Sequence, residues 1–88
     1  MNKGTNKGID FIAASNGGIE CHGYYHNIGR AMLAWADNVN DLSRIINKYG
    51  LRSVVYGSSS IDFCSEEGFS NDDGANRLWK DALERAGV

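Results

Sequence analysis

The most regular hydrophobic pattern in the sequence spans residues 27–50, where apolar side chains recur at alternating steps of four and three. On an α-helix with about 3.6 residues per turn, this spacing forms one continuous apolar stripe. The pattern predicts a helix that begins near Asn27, ends at Gly50 and organises the fold. The stripe consists of Ile28, Met32, Trp35, Val39, Leu42, Ile46 and Tyr49.

Residues 37–41 weaken the middle of this predicted helix. They are mostly Asp and Asn, which favour helix caps over helix interiors. Asn38, followed three residues later by Asp41, has the spacing of a helix start. We therefore expect a kinked helix or two abutting helices rather than one straight rod.

The stripe is interpreted as facing the core of the domain rather than forming a coiled coil. In a heptad frame its flanking positions carry no charge, whereas charged residues there usually select coiled-coil partners. Small and apolar flanking residues instead widen the stripe into a surface that packs on a sheet. If so small a core cannot cover the stripe, a homodimer through Trp35 or Trp79 is the alternative.

A β-hairpin is predicted before this helix. Apolar residues alternate over residues 9–15, and Asn16-Gly17 is the strongest short signal for a hairpin turn. Residues 19–25 would form the return strand. Residues 1–8 are polar and lack an apolar anchor, so we expect a flexible N-terminal tail followed by a single domain over residues 9–88.

Two more elements follow the long helix. The β-rich run Val54-Val55-Tyr56 predicts a third strand within residues 51–56. An amphipathic pattern predicts a last helix over residues 71–86, with Ser70 at its start and Gly87 after its end. The apolar face of this helix comprises Ala75, Leu78, Trp79, Ala82, Leu83 and Ala86.

The predicted order of elements is β-β-α(α)-β-α. Three strands give a sheet with a face to cover, and two helices can cover it. The expected fold class is α+β, with two layers. It comprises an antiparallel sheet of about three strands, packed by a long kinked or split helix and by a C-terminal helix.

Composition indicates a small globular protein. The chain has 88 residues and a formal net charge of −2. No apolar run approaches the length of about 18 residues that spans a membrane, and the polar N-terminus lacks the apolar core of a signal peptide. We therefore expect a cytoplasmic protein without a membrane partner.

Four side chains could take part in thiol or metal chemistry, namely Cys21, His22, His26 and Cys64. Structural zinc sites usually contain closely spaced cysteine or histidine pairs, and such a pattern is missing here. Adjacent residues on a strand point to opposite faces, which separates Cys21 from His22. We expect two buried thiols and no cofactor, with a thiol- or metal-dependent enzyme as an alternative.

An acidic stretch provides the main candidate for a binding surface. Between Arg52 and Arg77 the sequence contains five carboxylates and neither Lys nor Arg. It also lacks the ligand spacing of a calcium-binding EF-hand loop. Opposite charges speed protein association, and an exposed aromatic residue can anchor a complex. The candidate partner-binding residues are Asp62, Glu66, Glu67, Phe69, Asp72 and Asp73.

These features favour a small non-enzymatic module that binds another protein, and the expected partner has a basic nucleic-acid-binding surface. A phage or mobile-element accessory protein that inhibits a host nucleic-acid machine, as anti-CRISPR proteins do, would suit a chain of this size. The alternative is a nucleic-acid-binding protein that uses Arg44, Lys48 and Arg52.

Overall fold

The structure, a computed structural model, describes residues 6–25, 29–56, 63–69 and 72–87. Its elements are β1 (Asn6–Ala13), β2 (Ile19–Tyr25), β3 (Gly29–Ala36), α1 (Val39–Tyr49), a 3₁₀ turn (Leu51–Ser53) and α2 (Asp73–Ala86). The strands form an antiparallel sheet in the order β1-β2-β3. A small α+β fold with a three-stranded antiparallel sheet and two helices is therefore confirmed.

The predicted first hairpin is confirmed. Ala14 N donates to Gly18 O at 2.8 Å across the turn. Gly17 has a φ of +99°, a conformation that glycine adopts without steric cost. β1 begins at Asn6, so residues 6–8 of the predicted tail belong to the strand. Residues 1–5 lie outside the described residues.

The prediction of helix is wrong over residues 29–36, because Gly29–Ala36 forms strand β3. The predicted helix start at Asn27 and the first stripe residue, Ile28, lie outside the described residues. In the pairing with β2, Cys21 lies opposite Ala34 and His22 lies opposite Met32, which leaves Leu33 as an extra residue. Such a β-bulge shifts the alternation of faces by one residue. It lets apolar residues three apart share a sheet face, so the spacing imitates a helix.

The second half of the stretch is helical, and the predicted break lies where the Asp and Asn residues cluster. Asn38 Oδ1 accepts a hydrogen bond from Asp41 N at 2.9 Å and caps α1. The helix ends at Gly50, whose N–H donates to Ile46 O at 2.8 Å. The stretch is therefore a strand followed by a helix.

The third strand predicted within residues 51–56 is also wrong. β3 already occupies the second edge of β2, so this segment reaches only the outer edge of β1. There Val54 forms a single parallel bridge with Ile9, and Val55 N donates to Ile9 O at 2.6 Å. The observed order is β-β-β-α-α rather than β-β-α(α)-β-α.

The last helix agrees with the prediction except at its first turn. Asp72, rather than Ser70, is the N-cap, since its Oδ1 accepts from Ala75 N at 2.9 Å. Gly87 ends the helix with a φ of +81°. No helix within the described residues is long and apolar enough to cross a membrane.

The core lies between one face of the sheet and the two helices, which also pack against each other. Trp79 of α2 is central, with its ring 4.7 Å from that of Phe11 on β1 and 6.2 Å from that of Phe69. Burial of such large rings provides much of the stability of a small domain. We call this side the covered face and the other side the open face.

Candidate functional site

Two of the candidate acidic residues, Glu66 and Glu67, lie in a tight turn over residues 65–68. Ser65 and Gly68 exchange backbone hydrogen bonds of 2.9 and 3.0 Å, and Ser65 Oγ donates to Gly68 O at 2.9 Å. Gly68 has a φ of +101°. This geometry places Glu66 and Glu67 at the exposed tip of the turn.

Asn76 holds this turn against the start of α2. Its Oδ1 accepts from Phe69 N at 3.2 Å. A Cβ at position 68 would overlap the Asn76 side chain, so glycine permits the close approach. The turn therefore lies beside the exposed residues Asp72 and Asp73. We call the four carboxylates Glu66, Glu67, Asp72 and Asp73 the acidic junction.

Phe69 does not serve as the exposed aromatic anchor that the sequence suggested. It is only 1% exposed and packs edge-on against Trp79. The expectation that it is exposed is wrong, because the turn points the glutamates outward and the following apolar residue inward. Asp62, the sixth predicted residue of this surface, lies outside the described residues.

Positively charged side chains follow the acidic junction along α2. A shallow depression on the helix surface is lined by residues of both signs, which are Asp73, Asn76, Arg77, Lys80 and Asp81. The negative surface is therefore confined to the turn and the first turn of the helix. Asp72 and Asp73, at the N-terminal end of α2, interact favourably with the positive end of the helix dipole and so stabilise the helix.

The three basic residues of the alternative function are exposed on α1 and in the 3₁₀ turn that follows it. Arg44 is strongly exposed, but its guanidinium is 3.4 Å from a carboxylate oxygen of Asp41. The Lys48 ammonium lies 5.4 Å from the centre of the Tyr49 ring. Arg52 is exposed in the 3₁₀ turn. Arg44 is thus partly neutralised by its own helix.

The two thiols are free and buried in the core. Burial raises the pKa of both Cys21 and Cys64 to about 12, which leaves almost no nucleophilic thiolate near neutral pH. Cys21 faces the core, whereas His22 lies on the open face, as alternation along β2 predicts. His26 lies outside the described residues, and within those residues no group of three potential ligands could hold a metal.

The open face contains a polar cluster that sequence reasoning missed. Arg30 Nη2 lies 3.0 Å from Asp10 Oδ2 and donates to the Tyr24 hydroxyl at 2.9 Å. The Arg30 guanidinium also lies 4.4 Å from the centre of the Phe63 ring. On the same face, Glu20 Oε1 lies 2.7 Å from His22 Nε2. We call these six residues the open-face cluster.

Asp10 is the unusual member of this cluster, because a carboxylate that is only 2% exposed is rare. Burial raises its pKa, against the opposing charges of Arg30 and His22. Asp10 Oδ1 and His22 Nδ1 are both buried and make no hydrogen bond among the described residues. One sequence signal was available, since alternate positions of β2 carry Glu20, His22 and Tyr24.

Exposed apolar residues continue the open face towards β3. Met32 is 60% exposed and Trp35 is 41% exposed. The Trp35 indole lies against the hairpin turn, where a Cβ at Gly18 would overlap it. The apolar stripe attributed to a helix is therefore divided between the surface of a strand and the core-facing side of α1.

Comparisons with known proteins do not assign this arrangement to a family. No protein-family model, no curated protein and no solved structure matches the chain significantly.

Proposed function

We propose that the chain is a small non-enzymatic module that binds a protein with a basic surface through the acidic junction. The observation that carries this proposal is the fixed acidic turn. Its backbone hydrogen bonds and the Asn76 contact hold Glu66 and Glu67 outward on a rigid support. A surface ordered before binding loses less conformational entropy in the complex.

Charge determines the kind of partner. The four carboxylates of the acidic junction are exposed, so they attract a positive surface and repel a negative one. Proteins that bind nucleic acids present such basic surfaces. A phage or mobile-element accessory protein that blocks a host nucleic-acid machine would act by occupying one. With Phe69 buried, we expect electrostatic attraction to contribute mainly to the rate of association.

The burial of both thiols supports a binding role over a thiol enzyme. A cysteine nucleophile needs a substantial thiolate fraction beside a base, and the pKa of about 12 opposes this at Cys21 and Cys64.

The test is affinity capture from a nuclease-treated host extract, followed by mass spectrometry. We expect the wild-type chain to retain a basic protein at low salt and to release it as salt is raised. The variant Glu66→Lys/Glu67→Lys should lose this protein. These two glutamates cap no helix and are exposed, so the variant should remain folded.

The matched control is Asp81→Lys/Glu84→Lys, which makes the same charge change at exposed positions farther along α2. It should retain the partner. Equal capture by both variants, or capture that persists in a quadruple reversal of the acidic junction, would show that this surface does not bind the partner.

The nucleic-acid alternative is tested with labelled single-stranded and double-stranded oligonucleotides. Under our proposal the chain does not bind them. Salt-dependent binding that disappears on replacement of Arg44, Lys48 and Arg52 by Ala would favour the alternative.

A further inference from the structure

Asp10 and His22 are direct neighbours on the open face, and each leaves one buried polar atom unsatisfied. The two residues are paired across β1 and β2, and side chains opposite each other on one sheet face have Cβ atoms about 4.5–5.5 Å apart. Asp10 uses Oδ2 for Arg30, and His22 uses Nε2 for Glu20. Asp10 Oδ1 and His22 Nδ1 make no hydrogen bond among the described residues. The two unsatisfied atoms therefore belong to one cross-strand pair.

The Glu20 contact determines which nitrogen of His22 carries hydrogen. His22 Nε2 lies 2.7 Å from Glu20 Oε1, and an ionised carboxylate only accepts hydrogen bonds. Nε2 therefore carries the hydrogen of the neutral ring, and Nδ1 has a bare lone pair. An ionised Asp10 presents a second acceptor, Oδ1, on the same side of the sheet. Two buried acceptors cannot bond to each other, and each one left unsatisfied lowers the stability of the fold.

One additional proton removes this conflict. On Oδ1 it makes Asp10 a donor to Nδ1, and on Nδ1 it makes the imidazolium a donor to Oδ1. Either placement satisfies both atoms with one hydrogen bond. We propose that Asp10 and His22 hold one proton between Oδ1 and Nδ1, which makes the open-face cluster a proton-binding site that stabilises the folded chain. The proton belongs to the pair, because strongly interacting groups titrate together.

The charges around the pair favour one bound proton. Among the described residues, the charged and titratable groups nearest to it are Glu20 and Tyr24 of β2 and Arg30 of β3, with Cys21 on the covered side of β2. Without the extra proton, two carboxylates face the single positive charge of Arg30. With it, the cluster is neutral overall, which a buried site favours. Burial also raises the pKa of Asp10, which is the direction that one bound proton requires.

The hydrogen bonds of the pair favour a structural role for this proton over a catalytic one. With the proton bound, both ring nitrogens of His22 are engaged, Nε2 with Glu20 and Nδ1 with Asp10. Both oxygens of Asp10 are engaged as well. A general base needs a free atom within reach of a substrate proton, and the pair has none left. The proton therefore joins β1 to β2 through their side chains, and this role does not depend on the acidic junction.

An NMR titration of the wild-type chain tests the proposal, with the Asp10 carboxyl carbon and the His22 ring nitrogens as probes. As the pH falls from the alkaline side, the first proton that the pair binds should shift both signals in one step with a common midpoint. The same step should bring His22 Nδ1 into a hydrogen bond. Separate steps at the two residues, or an Asp10 step that leaves Nδ1 unchanged, would overturn the proposal.

The variant Asp10→Asn provides a second test, because its amide nitrogen can donate to His22 Nδ1 at every pH and so replaces the proton. The unfolding equilibrium constant of the wild type, relative to this variant, should rise with pH by at most about tenfold per pH unit, the limit for one proton. The matched control is Asp81→Asn, the same substitution at an exposed position of α2, which should retain the common NMR step and the pH dependence. A His22 step with an unchanged midpoint in Asp10→Asn, or loss of the common step in Asp81→Asn, would overturn the proposal.

Discussion

The acidic junction and the β3 edge are two exposed surfaces that differ in charge. The junction carries one sign of charge, through Glu66, Glu67, Asp72 and Asp73. On the β3 edge Met32 and Trp35 are exposed, whereas the charge of Arg30 is compensated by Asp10 at 3.0 Å. Exposed charge of one sign attracts a partner of the opposite sign, whereas a paired charge has less attraction left for a partner. The comparison favours the junction as the surface for a charged partner.

The two surfaces also differ in how they are supported. The acidic turn rests on the core, because Phe69 follows it and packs on Trp79. The β3 edge is supported by the sheet and by the ion pair between Arg30 and Asp10. Changes in the core should therefore affect stability strongly, whereas changes at the exposed residues should affect association.

The largest expected effect on stability is the difference between replacing Trp79 and replacing Trp35. Trp79→Ala removes a ring that is 2% exposed and should lower the free energy of unfolding by about 3–5 kcal/mol. Trp35→Ala removes a ring that is 41% exposed and should cost about 1 kcal/mol at most. Urea denaturation measures both variants. Equal losses would contradict the division between core support and exposed edge.

The next effect concerns the ion pair that joins Arg30 on β3 to Asp10 on β1 across the open face. Arg30→Met leaves the buried Asp10 carboxylate without its cation, and we expect a loss of about 2 kcal/mol after allowance for the partial exposure of Arg30. The double variant Asp10→Asn/Arg30→Met should be more stable than the sum of the two single losses indicates. Strict additivity in this double-mutant cycle would show that the two side chains do not interact.

A smaller effect should appear in the pH dependence of stability. Burial raises the pKa of Asp10 above its usual range, so the folded chain holds this proton more tightly than the unfolded chain. The stabilisation is fully present below the unfolded pKa and is lost as the pH rises through the folded pKa. Relative to Asp10→Asn, the wild type should therefore become less stable as the pH rises above the ordinary aspartate pKa of about 4. A relative gain with rising pH would mean that Arg30 outweighs burial.

The smallest effect on stability should follow from the acidic turn. Glu66→Lys/Glu67→Lys changes two exposed side chains that cap no helix, so the free energy of unfolding should change by about 0.5 kcal/mol or less. Thermal denaturation provides the measurement. A large loss would assign these glutamates a structural role and would undermine their use as a clean test of binding.

Local sequence signals predict the turns and the helix ends of this chain well. The Asn16-Gly17 turn, the cap formed by Asn38 with Asp41 and the glycines that end both helices all follow from backbone chemistry within a few residues. The amphipathic face of α2 follows from a spacing that no irregularity disturbs. These elements could therefore be located without knowledge of the tertiary contacts.

The sequence-based predictions are wrong where contacts between residues distant in the sequence determine the structure. The bulge at Leu33 can be recognised only from its opposition to Cys21 and His22, and it made part of a strand resemble a helix. The burial of Phe69 depends on the position of Trp79. The Asp10–Arg30 pair joins residues twenty positions apart, so neither residue stands out from its neighbours in the sequence.

Capture of a basic protein from a nuclease-treated host extract tests most directly whether the acidic junction binds a partner. At low salt we predict capture by the wild type and by Asp81→Lys/Glu84→Lys, and none by Glu66→Lys/Glu67→Lys. Equal capture by all three chains would contradict the account.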